Sequence, residues 1–186
     1  MKAKTLKLQR LTILSILTAV SVMLVSIHFP LIPAVPFLEY DPADIPIVLV
    51  TLFFGPLSGF LVTGMASLIQ GLTFSAGSGL YGILMHIAAT GSYVLAAGVF
   101  RRSLGEDRPW KRICIVAAGC IAMTLVMIPA NLLITPYFMG TDIQSVKALI
   151  LPAILPFNLL KAGINSVFAL ILYPPLSKFL RKEGIL

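Results

Sequence analysis

Six apolar runs, joined by short connections, govern what this chain can fold into: Leu8–His28, Ile45–Phe54, Leu57–Leu72, Leu80–Phe100, Ile113–Pro136 and Leu149–Phe179. A helix needs about 20 predominantly apolar residues to cross a bilayer. The second and third runs are short, so each leans on its neighbours. Only 11% of the residues are charged and 58% are hydrophobic, against roughly 25% charged in soluble domains. The expectation is an all-α polytopic membrane protein: one six-transmembrane-helix bundle over residues 1–186, with no separate soluble domain.

Charge orients the bundle. The sequence "GPLSG" at 55–59 carries no charge and reads as a tight hairpin; the alternative, one long span from 45 to 72, inverts everything after it. Of the 14 cationic side chains, Lys2, Lys4, Lys7 and Arg10 precede the first run. Arg101, Arg102, Arg108, Lys111 and Arg112 lie between the fourth and fifth, and Lys178, Arg181 and Lys182 close the chain. The opposite connections, 29–44, 73–79 and 137–148, hold only Lys147. The positive-inside rule therefore places both termini in the cytoplasm. A signal peptide is the competing reading of the start, but the run from Leu11 to Ile27 exceeds the usual 7–15-residue core and no small-x-small cleavage site follows. The +7 charge is too dispersed to form a nucleic-acid surface. Cys114 and Cys120, six residues apart, point away from each other on a helix, which argues for packing rather than a disulfide.

Polar residues enter this apolar chain at few places. The stretch "FLEYDPADIP" at 37–46 follows Pro30, Pro33 and Pro36 and contains Pro42, and prolines fix φ and remove donors. It is expected to be a stiff, extended outer loop that folds over the bundle as a lid. Glu39, Asp41 and Asp44 would supply acceptors at its mouth, and Leu38 and Tyr40 apolar contact. The alternative is a solvated loop in which Asp44 caps the second helix. No calcium-ligand spacing is recognisable.

In "LPFNLLKAGINS", Asn158, Lys161 and Asn165 are spaced i, i+3 and i+7, within about 60° of one helical face. A lysine at mid-helix costs roughly 2.5–3.5 kcal/mol on insertion scales, so it should face an interior or a water-filled cavity unless it snorkels. Asn131, between Pro129 and Pro136, suggests a discontinuous helix beside a site, or a kink with the amide bonded to a neighbour. The segment "GLTFSAGSGLYG" places Phe74 and Tyr81 where they can stack on a flat guest, or forms an ordinary glycine-rich connection. His86 is either hydrogen-bonded packing or a proton relay. Small residues recur at Thr12, Ser15, Ala19 and Ser26 in the first run and at Gly59, Thr63, Ser67 and Gly71 in the third. Such stripes let helices approach closely, within the bundle or against a partner.

Catalytic signatures are missing: no P-loop, HExxH or GxSxG sequence and no Cys/His metal spacing. The expectation is therefore no enzyme, no metal and no cofactor. A binding and transport subunit, a small channel and an unfamiliar membrane enzyme remain open. Clustering of the polar residues toward one side favours a pocket over a channel.

The acidic loop, "FGPLSG" after a short helix, and "PFNLLK" in the last run together resemble the riboflavin-specific substrate-binding subunits (S components) of energy-coupling factor (ECF) vitamin transporters. The likeness covers essentially the whole chain. It implies that Glu39, Asn131, Asn158 and Lys161 contact riboflavin, with Tyr40 and Asp41 in the closing loop. Leu38, Phe74 and Tyr81 would line apolar walls, and Asn165 shares the face of Lys161. It also implies a bacterial cell membrane and a transmembrane coupling subunit (T component) driven by two cytoplasmic ATPases. Family members dock through paired alanines in the first helix; here Ser15 and Ala19 match, with serine as the departure. His86 stands where an amide was expected. Another vitamin remains the nearest alternative ligand.

Overall fold

The computed structural model describes residues 2–186, with side chains from Leu6 onward; those of Lys2 and Lys4, counted in the charge argument, lie outside it. The chain is a helical bundle: α1 (Lys2–Leu24), α2 (Asp44–Phe54), α3 (Pro56–Leu72), α4 (Gly79–Leu104), α5 (Pro109–Met139), α6 (Ile143–Leu149) and α7 (Leu155–Lys182). A π-helical turn, Ile150–Ile154, joins α6 to α7. Among the described residues, four stretches are long and apolar enough to cross a membrane: Leu6–Leu24, Gly79–Leu104, Pro109–Met139 and Ile143–Lys182.

The hairpin between the short helices is real. Gly55 has φ 88° and ψ 177°, and Pro56 follows as the first residue of α3. That left-handed φ suits a residue without Cβ, and a proline at the first helical position sacrifices no intrahelical bond. At 11 residues α2 is only about 16 Å long, but nine of these residues are buried. It packs against α1, α3, α4 and α7, which makes it the central rod. Its C-terminal carbonyls are not left bare, either: Arg101 donates to Leu52 O and Phe53 O while pairing with Glu106, and Arg10 donates to Phe54 O.

Element ends differ from the sequence expectation. Pro129 and Pro136 lie inside an unbroken α5, so that helix is not discontinuous. The irregularity falls instead at the π turn, which holds Pro152, and the last span begins six residues early, at Ile143. The stripe Gly59, Thr63, Ser67 and Gly71 is buried; a Cβ at Gly59 would lie 2.2 Å from Thr51 Oγ1. That stripe serves packing inside the bundle. By contrast, Thr12, Ser15 and Ala19 in α1, and Ser26 just past its end, are all exposed. Both cysteines are free; Cys120 is buried as expected and Cys114 is exposed.

The proline-rich loop is folded rather than simply extended. Two short strands, β1 (Phe29–Pro30) and β2 (Glu39–Tyr40), pair antiparallel with Phe29 opposite Tyr40. Between them the chain buries Val35 and Leu38 against Val146, Ala153, Ile154 and Phe157. This apolar cluster fastens the loop over the α6–α7 junction.

Candidate binding site

A cavity of about 430 Å³ lies beneath this loop, at the end of the bundle away from the arginine-capped end of α2. Ligand pockets commonly span about 300–1,000 Å³. The lid contributes Phe37, Leu38, Glu39 and Asp41, and α7 contributes Phe157, Asn158 and Lys161. From α5 come Met123, Met127, Asn131, Thr135 and Phe138. The opposite wall is Ser67 and Gln70 of α3, Phe74 of the connection, and Tyr81, Met85, His86 and Thr90 of α4. Thioethers and rings supply adaptable apolar surface, and Tyr81 meets Phe138 edge-on with centroids 6.1 Å apart.

Lys161, only 9% exposed, does not snorkel. Its Nζ donates to Asp41 Oδ2 at 2.7 Å, so the lid's carboxylate compensates an ammonium that would otherwise be stranded. Asp41 Oδ1 in turn accepts from Ala43 N at 3.0 Å, fixing the turn into α2. The two cavity amides reach back along their own helices: Asn158 Nδ2 donates to Ile154 O, the end of the π turn, and Asn131 Nδ2 to Met127 O. Thr135 Oγ1 donates to Asn131 Oδ1 at 2.9 Å. Each amide is thereby locked in one orientation on the wall. Glu39 is exposed and lines the mouth.

Tyr40 and Asn165 are placed differently from the other candidates. They do not line the cavity; the Tyr40 hydroxyl donates to Asn165 Oδ1 at 2.9 Å, and Asn165 Nδ2 donates to Asp41 O at 3.2 Å. Together with the Lys161–Asp41 pair they latch the lid to α7. Burial, reinforced by nearby Asp41, raises the Tyr40 hydroxyl above its ordinary value, which keeps it a donor.

Asp44 is neither the cap of α2 nor an acceptor at the mouth. The residue before α2 is Ala43, which has no side-chain cap. Asp44 is buried below the cavity, with Oδ1 3.0 Å from His86 Nε2 and accepting from Thr90 Oγ1 at 2.7 Å. His86 Nδ1 lies 2.8 Å from Ser67 Oγ. His86 is thus held through both ring nitrogens. Sequence reasoning gave no role to Gln70, Thr135, Phe138 or Phe157. Of these only Gln70, an amide in an apolar run, carried a visible signal.

The family model for the substrate-specific component of ECF transporters matches residues 9–173. Among curated proteins, the chain is 30% identical over 178 residues to the riboflavin transporter RibU of Staphylococcus aureus (strain TCH60), covering 94% of this chain and 93% of that protein. It is 28% identical to the riboflavin transporter FmnP of Bacillus subtilis (strain 168), covering 89% and 91%. Among solved structures, one reported as "Structure and mechanism of the S component of a bacterial ECF transporter" aligns with a TM-score of 0.78 at 29% identity, covering 94% of this chain and 98% of that one.

Proposed function

The chain belongs to the family of ECF transporter substrate-specific components, and from that premise we propose that it captures riboflavin in the lidded cavity and delivers it inward as the binding subunit of an ECF importer. The observation that carries this reading is the enclosure itself. A largely apolar cavity of ligand size lies under a loop whose carboxylate is held by a buried lysine of α7.

The chemistry suits a flavin. Its isoalloxazine ring is flat and largely apolar, matching Leu38, Phe74 and Tyr81. One edge alternates carbonyl acceptors with an N–H donor, and the carboxamides of Asn131 and Asn158 each offer both a donor and an acceptor for such an edge. Lys161 donates to a ring carbonyl or nitrogen, and Glu39 accepts from ribityl hydroxyls at the mouth. Asp41, Tyr40 and Asn165 act through the lid: entry requires the Lys161–Asp41 and Tyr40–Asn165 contacts to open, and closure restores them.

Delivery is assigned to partners. The exposed stripe containing Ser15 and Ala19 is the proposed docking face for a T component in a bacterial cell membrane, and two cytoplasmic ATPases supply the work. Titration of purified protein with riboflavin, followed by quenching of flavin fluorescence, tests the central claim. Saturable one-to-one binding is expected; a protein that binds no riboflavin at micromolar concentration overturns it.

A further inference from the structure

We propose that Gln70 is a substrate-contacting residue, presenting its carboxamide from α3 to a hydroxyl of the ribityl chain; the inference rests on the riboflavin reading. Gln70 lines the cavity and is 6% exposed. Its Nε2 has no hydrogen-bond partner among the described residues, and a buried donor left unpaired is rare in a folded protein because nothing repays its lost hydration.

The surrounding polar groups make this exception informative. Asn131 and Asn158 each give one amide hydrogen to a carbonyl four residues back and keep the other free, and Ser67, His86, Asp44 and Thr90 are bonded among themselves. Gln70 sits in the same kind of helical position, yet its amide nitrogen makes no hydrogen bond at all among the described residues. Its backbone, meanwhile, is pinned: Gln70 O accepts from Thr73 N at 3.1 Å and from Ser75 N at 2.8 Å where α3 ends. The side chain is therefore delivered to the cavity wall by a fixed stem.

Position narrows the ligand group. Gln70 on α3 and Lys161 on α7 both line the cavity; α3 packs on α1, α2 and α4, whereas α7 packs on α5 and α2, so the two approach a guest from different helices. A guest whose ring edge engages Lys161 and the two asparagines turns a different part toward Gln70. Rotation of the carboxamide by 180° exchanges donor and acceptor. A hydroxyl, which both donates and accepts, is satisfied by either orientation.

The test uses the full chain carrying Gln70→Met, similar in length but without polar atoms, with Gln70→Leu as a second variant. The probes are riboflavin and lumiflavin, which has a methyl group in place of the ribityl chain. Expected results are riboflavin affinity about tenfold weaker, lumiflavin affinity unchanged, and a ligand-free thermal midpoint equal to or above that of the parent, because the orphaned donor is gone. Unchanged riboflavin affinity in both variants overturns the proposal, as does an equal loss for both flavins. A lowered ligand-free midpoint in both variants overturns it too, by making Gln70 a structural residue. Failure of the parent protein to bind riboflavin defeats the functional reading itself, an outcome distinct from a silent substitution.

Discussion

At the scale of single residues, the decisive pair is Lys161 and Asp41. Replacing Lys161 with Met removes a donor from the cavity and leaves Asp41 without its counter-charge, so both the guest contact and the closed lid suffer. A hydrogen bond to a charged group contributes about 1.5–3 kcal/mol, which predicts riboflavin binding weaker by roughly 10- to 150-fold with helical content by circular dichroism preserved. Unchanged affinity would remove Lys161 from the site. Tyr40 is a subtler case. Tyr40→Phe deletes one neutral bond to Asn165, worth about 0.5–1.5 kcal/mol, and should mainly speed riboflavin release. Because the folded-state pKa is raised from 10.0 by burial, that contribution is fully present below pH 10 and is lost as pH climbs through the raised value. The release rates of parent and variant should thus differ by a constant factor from neutral pH to about 10 and converge above it; a gap that closes near pH 7 would contradict the latch. Lysine and asparagine in an apolar helix were legible from the sequence because their insertion cost demands an explanation. The division of labour between Asn158 and Asn165 was not: both share a helical face, but only the lid's path decides which meets the cavity and which meets Tyr40.

At the scale of elements, close packing of α3 against α2 and α4 holds the cavity's far wall. Gly59 has no space for a methyl, since a Cβ there would lie 2.2 Å from Thr51 Oγ1 and 2.8 Å from Val94 Cγ1, whereas one at Gly64 would meet nothing within 4 Å. Gly59→Ala should therefore lower the thermal midpoint, consistent with the about 1–3 kcal/mol typical of overpacking, while Gly64→Ala should be neutral or slightly stabilising through helix propensity. Equal midpoints for the two variants would show that α3 shifts freely. Apolar run lengths located α2, α3 and the long helices well, because the need to bury or cover backbone polar groups in lipid leaves helices as the only choice. Helix ends and irregularities were less legible. Pro129 and Pro136 looked like breaks but sit within α5. The real irregularity at Ile150–Ile154 holds Pro152, a proline visible in the sequence before Asn158; what the sequence did not show is that the lid's Val35 and Leu38 pack across the α6–α7 junction beside it.

At the scale of the whole molecule, the cavity and the proposed docking face occupy different parts of the bundle yet share a mechanical link. Helix α1 exposes Ser15 and Ala19 to the outside of the bundle, while its inner side grips α2 near both ends: Ser21 Oγ donates to Ala43 O at 2.7 Å and Arg10 to Phe54 O at 3.1 Å. The first contact lies beside the Asp41–Ala43 turn that roots the lid. A bulky residue on the exposed face need not disturb that root, because Ala19 has open surroundings and the bonded residues point elsewhere. Ala19→Trp is therefore expected to keep riboflavin affinity within about twofold, well inside the effect of losing one hydrogen bond. In cells that supply the T component and ATPases, the same variant should lose uptake, because small residues permit a closeness of approach that an indole blocks. Radiolabelled riboflavin accumulation against binding by the purified variant separates the two quantities. Normal accumulation with tryptophan in place would move the docking face off this stripe. Loss of binding alongside uptake would instead show that the exposed side of α1 reaches the lid through Ser21 and Ala43, so that docking and closure act on one rigid unit.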